Sequence, residues 1–81
     1  MRVLYFAWLR ERVGAAVEEV ATDAASVRAL VEELRARDAA HAAAFADLSA
    51  VRVALDEEMA DFDAPLAGVR EVAFFPPVTG G

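Results

Sequence analysis

From Arg2 to Trp8 the chain alternates Val3, Tyr5 and Ala7 on one face with Leu4, Phe6 and Trp8 on the other, so both faces of this stretch are apolar. A strand of that kind packs on a helix with one side and is covered, or left for a partner, on the other. Leu9 to Val13 predicts a turn or short helix ended by Gly14, and Ala16 to Thr22 a second strand that pairs with the first as a hairpin-like unit. Ser26 is the expected N-cap of the main helix, although Ala29 at the N3 position gives it no capping box. Val27, Leu30, Val31 and Leu34 then fall at helical spacing on one stripe, with Arg28, Glu32, Glu33, Arg35 and Arg37 on the other faces. Glu33 and Arg37 stand in the favourable i, i+4 order, which adds only a few tenths of a kcal/mol.

Ala39 to Asp47 predicts a second, shorter helical segment anchored by Phe45. His41 lies among its alanines with no second ligand or nucleophile near it in sequence, so a solvent-exposed position without chemistry is expected. Val51, Val53 and Leu55 alternate with Arg52 and Ala54 as a third strand, and Met59 begins a short return segment. The acids between them, Asp56-Glu57-Glu58, read as a solvated turn, because adjacent side chains do not converge on one metal or one proton. Ala67-Gly68 marks a last turn before Glu71 to Phe75, where Val72 and Phe74 alternate with Ala73 and Phe75. Phe74 is the expected core residue and Phe75 the one that faces a partner, the reversed register being the alternative. Strands and helices in this order make an α+β domain.

Composition narrows the function. Eighty-one residues fit one domain, and 58% hydrophobic content is high for that size, which implies an alanine-padded core, apolar surface held for partners, or both. The formal charge of −6 and a pI near 4.6, with eight basic residues that are all arginine, argue against nucleic acid and for basic protein surfaces. Without cysteine there is no disulfide, thiolate metal site or cysteine nucleophile. The first residues are too short and interrupted for a signal peptide and no run spans a membrane, so a cytoplasmic location is expected.

The chemistry concentrates at the end of the chain. From Val72 onward there is no charged side chain, whereas 27% of all residues are charged. Pro76 and Pro77 cannot continue a ladder, so a strand must stop at Phe75 and leave stiffly. Gly80-Gly81 is flexible and thin enough to pass close to another backbone or a nucleotide. Six residues from Pro76 reach at most about 20 Å, enough to enter a partner's active site.

Phe74-Phe75-Pro76-Pro77-Val78-Thr79-Gly80-Gly81, on a chain opening Val3-Leu4-Tyr5-Phe6-Ala7, resembles the ubiquitin-like sulfur-carrier family that includes the small subunits of molybdopterin synthase. The pattern extends over nearly the whole chain, with Phe62 to Leu66 matching the short segment before the last strand. The Asp56-Glu57 pair departs from it, where the family tends to carry amides. The resemblance implies a ubiquitin-like β-grasp over residues 1–75, a mixed sheet of four to five strands on one main helix plus a short second helix, followed by an extended carrier tail at 76–81. It implies that an adenylating enzyme related to the ubiquitin-activating enzymes spends ATP to make a glycyl-adenylate at Gly81. A sulfur donor protein then converts this to a thiocarboxylate, with Gly80 letting the tail thread. The loaded tail enters the large synthase subunit, in a heterotetramer, to build the dithiolene of molybdopterin from cyclic pyranopterin monophosphate. By alternation and by resemblance, Phe6, Arg10, Leu55 and Phe75 are expected to dock that partner, along with Pro76, Pro77, Val78 and Thr79. The chain would be a carrier and not itself a catalyst, with no bound cofactor or metal. Alternatives are a thiamine-type sulfur carrier, whose chains are shorter and lack the Phe-Phe-Pro-Pro tail, a ubiquitin-like protein modifier, and a passive interaction module.

Overall fold

Two alternating segments at opposite ends of the chain meet at the centre of one sheet. In the computed structural model, which describes residues 1–77, β1 (Arg2–Tyr5) runs parallel to β5 (Glu71–Phe75), in register Val3 with Val72 and Tyr5 with Phe74. β2 (Val17–Glu19) pairs antiparallel with β1, and β3 (Arg52–Leu55) pairs antiparallel with both β5 and β4 (Glu58–Ala60), giving the strand order β2-β1-β5-β3-β4. An initial hairpin, a crossover helix and a last strand returning beside the first are the β-grasp arrangement expected above.

The core is built from one face of these strands and the helical stripe. Val27, Leu30, Val31 and Leu34 of α2 (Val27–Arg35) are all 0% exposed, as are Val3, Val72 and Phe74, with Val53 at 1%. Full burial of a leucine at this interface contributes about 1.5–3 kcal/mol. The Ser26 hydroxyl accepts from Ala29 N–H at 3.2 Å, as an N-cap should. Two more donors of the first turn go elsewhere: Val27 N–H donates to Ala64 C=O at 3.1 Å and Arg28 N–H to Phe62 C=O at 2.7 Å. The segment before β5 thereby clips the start of the helix.

The first and second strands are shorter than the alternation suggests. Ala7 takes φ 53°, a left-handed geometry that breaks the strand and turns the chain into α1 (Trp8–Val13). That helix buries Leu9 and ends on Gly14 at φ 91°, as expected of a left-handed helix terminus. Trp8 therefore belongs to a helix and not to the strand. β2 is confined to three residues at the sheet edge.

The expectation for His41 is overturned. His41 is only 3% exposed, in α3 (Ala39–Ala44), with its ring held between Glu18 and Asp38. Asp38 is the N-cap of the same helix, but Glu18 lies on β2, 23 residues away in sequence, where local pattern gives no sign of it. Phe45, the expected anchor, is 0% exposed and meets Phe74 edge-on at 4.9 Å, while Tyr5 stacks on Phe74 at 6.2 Å.

Candidate functional site

β5 is the central strand, hydrogen-bonded on both sides, and it ends at Phe75 immediately before Pro76. The two prolines lack the N–H that a ladder needs, so pairing stops there and the chain leaves from the middle of the sheet rather than from an edge. The opposite end of β5 is fastened: Asp56 Oδ1 accepts from Arg70 N–H at 3.1 Å and Glu71 N–H at 2.9 Å. Asp56 and Glu57 carry φ of 49° and 73°, the two left-handed residues of a tight hairpin between β3 and β4. The acidic turn is exposed, and its first carboxylate ties the hairpin to the tail strand. Val78, Thr79, Gly80 and Gly81, expected to carry the chemistry, lie outside the described residues.

Strand alternation sorts the expected docking residues. Tyr5 and Phe74 point into the core, so their neighbours Phe6 and Phe75 fall on the outer face, with Phe6 N–H donating to Phe74 C=O at 3.1 Å. Phe6 is 47% exposed, Phe75 is half-buried, and Arg52 lies opposite Phe75. Arg10 is exposed on α1, with no carboxylate of the described residues within ion-pair distance. Leu55 does not join them. It is half-buried opposite Val72, packed against the core and therefore on the inner face.

Met59 takes the outer position instead. The register places Val17 beside Leu4, Leu4 beside Ala73, Ala73 beside Ala54 and Ala54 beside Met59, one uncharged row across all five strands. Val17 and Met59 are 43% and 67% exposed at its ends. On one side this row borders Glu19, Arg2 and Glu71, and on the other Phe6, Phe75, Arg52 and the tail exit. An apolar strip flanked by charges and continuous with a tail is the make-up of a protein-docking surface. Alternation along β3 and β4 carried the signal for Met59, once their pairing register was known.

The remaining polar features lie elsewhere. Among the described residues no group of three His, Cys, Asp or Glu side chains is placed to hold a metal ion, and no helix is long and apolar enough to cross a membrane. A shallow groove between β2 and α2, lined by Glu19, Val20, Glu33, Leu34 and Arg37, is away from the tail exit, and its Glu33 accepts from the Thr22 hydroxyl.

Three comparisons bear on this geometry. A family model described as the ThiS family matches residues 3–81. The chain is 43% identical over 81 residues to the molybdopterin synthase sulfur carrier subunit of Escherichia coli strain K12, covering 100% of this chain and 99% of that protein. It is 32% identical, with the same coverage, to the protein of that name from Haemophilus influenzae. Among solved structures it superposes on SAMP1 from Haloferax volcanii with a TM-score of 0.75 at 28% identity, covering 100% of this chain and 98% of that one. A putative molybdopterin converting factor, subunit 1, from Pyrococcus furiosus gives a TM-score of 0.72 at 28% identity, covering 95% of each chain.

Proposed function

The chain belongs to the ThiS family, and on that premise we propose that it is the sulfur carrier subunit of a molybdopterin synthase, with its cargo on the carbonyl carbon of Gly81. The observation that carries the reading is the exit of the chain from the central strand, beside an apolar face and behind two prolines. A domain at residues 1–75 then presents a tail at 76–81, and the large subunit is the natural partner of the face.

The chemistry follows from the terminal group. A free α-carboxylate has a pKa of about 3.3–3.7, so at neutral pH it is an anion that resists nucleophiles. One of its oxygens attacks the α-phosphorus of ATP on an adenylating partner, and pyrophosphate leaves. Hydrosulfide released by a donor protein then adds to the glycyl-adenylate carbonyl and AMP departs, leaving a thiocarboxylate. In the large subunit that sulfur passes to cyclic pyranopterin monophosphate and water attacks the acyl carbon to restore the carboxylate, so a dithiolene takes the cargo of two loaded chains. Gly81 offers an unhindered carbonyl, and Gly80 passes where a Cβ would clash. The acid, base and oxyanion-stabilising groups belong to the partners, so this chain is a cosubstrate that docks through Phe6, Arg10, Phe75, Met59 and the tail, working in the cytoplasm.

Incubation with ATP, the activating enzyme and a sulfide source is expected to add the mass of one sulfur-for-oxygen exchange, located at Gly81. An unchanged intact mass, with the activating enzyme shown to be competent, overturns the reading. Covalent conjugates to other proteins, without transfer to cyclic pyranopterin monophosphate, would assign the same activated terminus to protein modification instead.

A further inference from the structure

The buried histidine takes no part in that chemistry, and its surroundings constrain its charge. His41 Nε2 is 2.8 Å from Glu18 Oε1, and Nδ1 is 2.8 Å from Asp38 Oδ1. A carboxylate only accepts, so each ring nitrogen must carry a proton to make its bond, and the ring is then an imidazolium. Glu18 Oε1 is already committed as an acceptor, since the Tyr5 hydroxyl donates to it at 2.9 Å. Asp38 also caps α3, with its Oδ1 accepting from His41 N–H at 2.9 Å.

We propose that His41, as an imidazolium spanning Glu18 of β2 and Asp38 at the start of α3, is a proton-operated latch that fastens the α3 segment to the edge of the sheet. Removing one ring proton leaves a lone pair facing a carboxylate at one end, and one of the two attachments opens. The latch closes over Tyr5, whose ring meets His41 edge-on at 6.1 Å and stacks on Phe74, so it also braces the aromatic wall behind β5.

The groups around the ring agree on the sign. β1 contributes Tyr5, β2 contributes Glu18, and the turn after α2 contributes Asp38 and Arg37, the last 3.8 Å from Glu18. Arg12 of α1 reaches the Ala43 carbonyl of α3 instead of the ring. Burial alone would depress the imidazole, but the bonds to Glu18 and Asp38, with their charges, outweigh it and hold His41 above its ordinary range. Burial likewise favours a neutral Glu18, yet the donors His41 and Tyr5 hold it below the usual carboxylate range, and Asp38 is lowered by the His41 N–H and ring. The histidine's contribution is therefore complete below the ordinary imidazole value and lost as pH rises through the folded one. The two carboxylates' contribution is complete above their ordinary range and lost as pH falls through their folded values.

The composition makes the test clean. His41 is the only histidine, there is no cysteine or lysine, and burial beside Glu18 pushes the Tyr5 phenol far above its usual range. The imidazole resonances of the full chain, followed by NMR from pH 5 to pH 10, are expected to show both ring nitrogens protonated at pH 7. The titration midpoint should lie above the ordinary value of about 6.5. Asp38→Asn keeps a capping side chain but removes one charge, and is expected to lower the midpoint. After correction for intrinsic exchange, α3 amides should lose protection across that midpoint while β5 amides keep theirs, and the step should vanish in His41→Gln. A neutral, single-tautomer ring at pH 7 overturns the proposal. So does α3 protection that runs level through the midpoint.

Discussion

The two faces of β5 are made of alternating residues of the same five-residue strand, yet they have different surroundings. Val72 and Phe74 are 0% exposed in a cluster with Leu30, Leu34, Phe45 and Tyr5. Ala73 and Phe75 stay half-buried, Ala73 in an uncharged row that extends to Val17 on one edge and Met59 on the other, and Phe75 beside it opposite Arg52. The inner face is satisfied by the chain's own helices, whereas the outer face presents apolar area that packing within the chain leaves partly open. A sulfur carrier subunit needs both: a domain that stays folded while its end is presented, and a surface that a partner can grip. The division predicts that inner substitutions act on stability and outer ones on partner binding.

Phe74→Ala is the severest test. It empties the centre of the aromatic cluster, where Phe74 meets both Tyr5 and Phe45, and should cost about 3–5 kcal/mol of a total that for a domain this size is only about 5–10 kcal/mol. Phe75→Ala, one residue along and facing outward, should cost about 1 kcal/mol. Urea titrations of the two variants measure both. Equal losses would mean that the two faces are not distinct in energy.

Met59→Thr probes the outer face alone. Met59 is 67% exposed on an edge strand, and threonine suits a strand, so stability should stay within about 0.5 kcal/mol. Affinity for the large synthase subunit, measured by calorimetry, should fall about tenfold, equivalent to about 1.4 kcal/mol. An unchanged affinity would detach the apolar row from the docking surface.

How much of this could be read from the chain depends on how far apart the partners are. The stripe Val27, Leu30, Val31, Leu34 and the alternation Val72, Phe74 are local patterns, and all six residues are fully buried where they were expected. The stop at Phe75 was equally legible, because proline's missing N–H acts at its own position. His41 was misread because Glu18 stands 23 residues away and only the fold brings it within 2.8 Å. The break at Ala7 had no local sign, since alanine carries no preference for positive φ. Leu55 falls on the inner face and not the expected outer one, because a strand's alternation fixes which residues share a side, while only the register with β5 shows which side is inward.

The smallest effect tests the boundary of the outer face. Arg2 lies in register between Glu19 and Glu71, and its Nε is 3.6 Å from Glu71, with the two side chains 55% and 28% exposed. A solvated pair of this kind is worth about 0–1 kcal/mol, because water screens the charges and two long side chains lose freedom in meeting. Arg2→Gln should therefore lower stability by less than about 0.5 kcal/mol, and the difference should shrink further as salt is raised. Thermal melts at two ionic strengths measure it. If the loss is larger and insensitive to salt, the charged row is holding β1 to β5, and the outer face contributes to the fold as well as to docking. A small, salt-sensitive loss leaves the row as a polar margin, which limits the apolar strip to the part of the sheet nearest the tail.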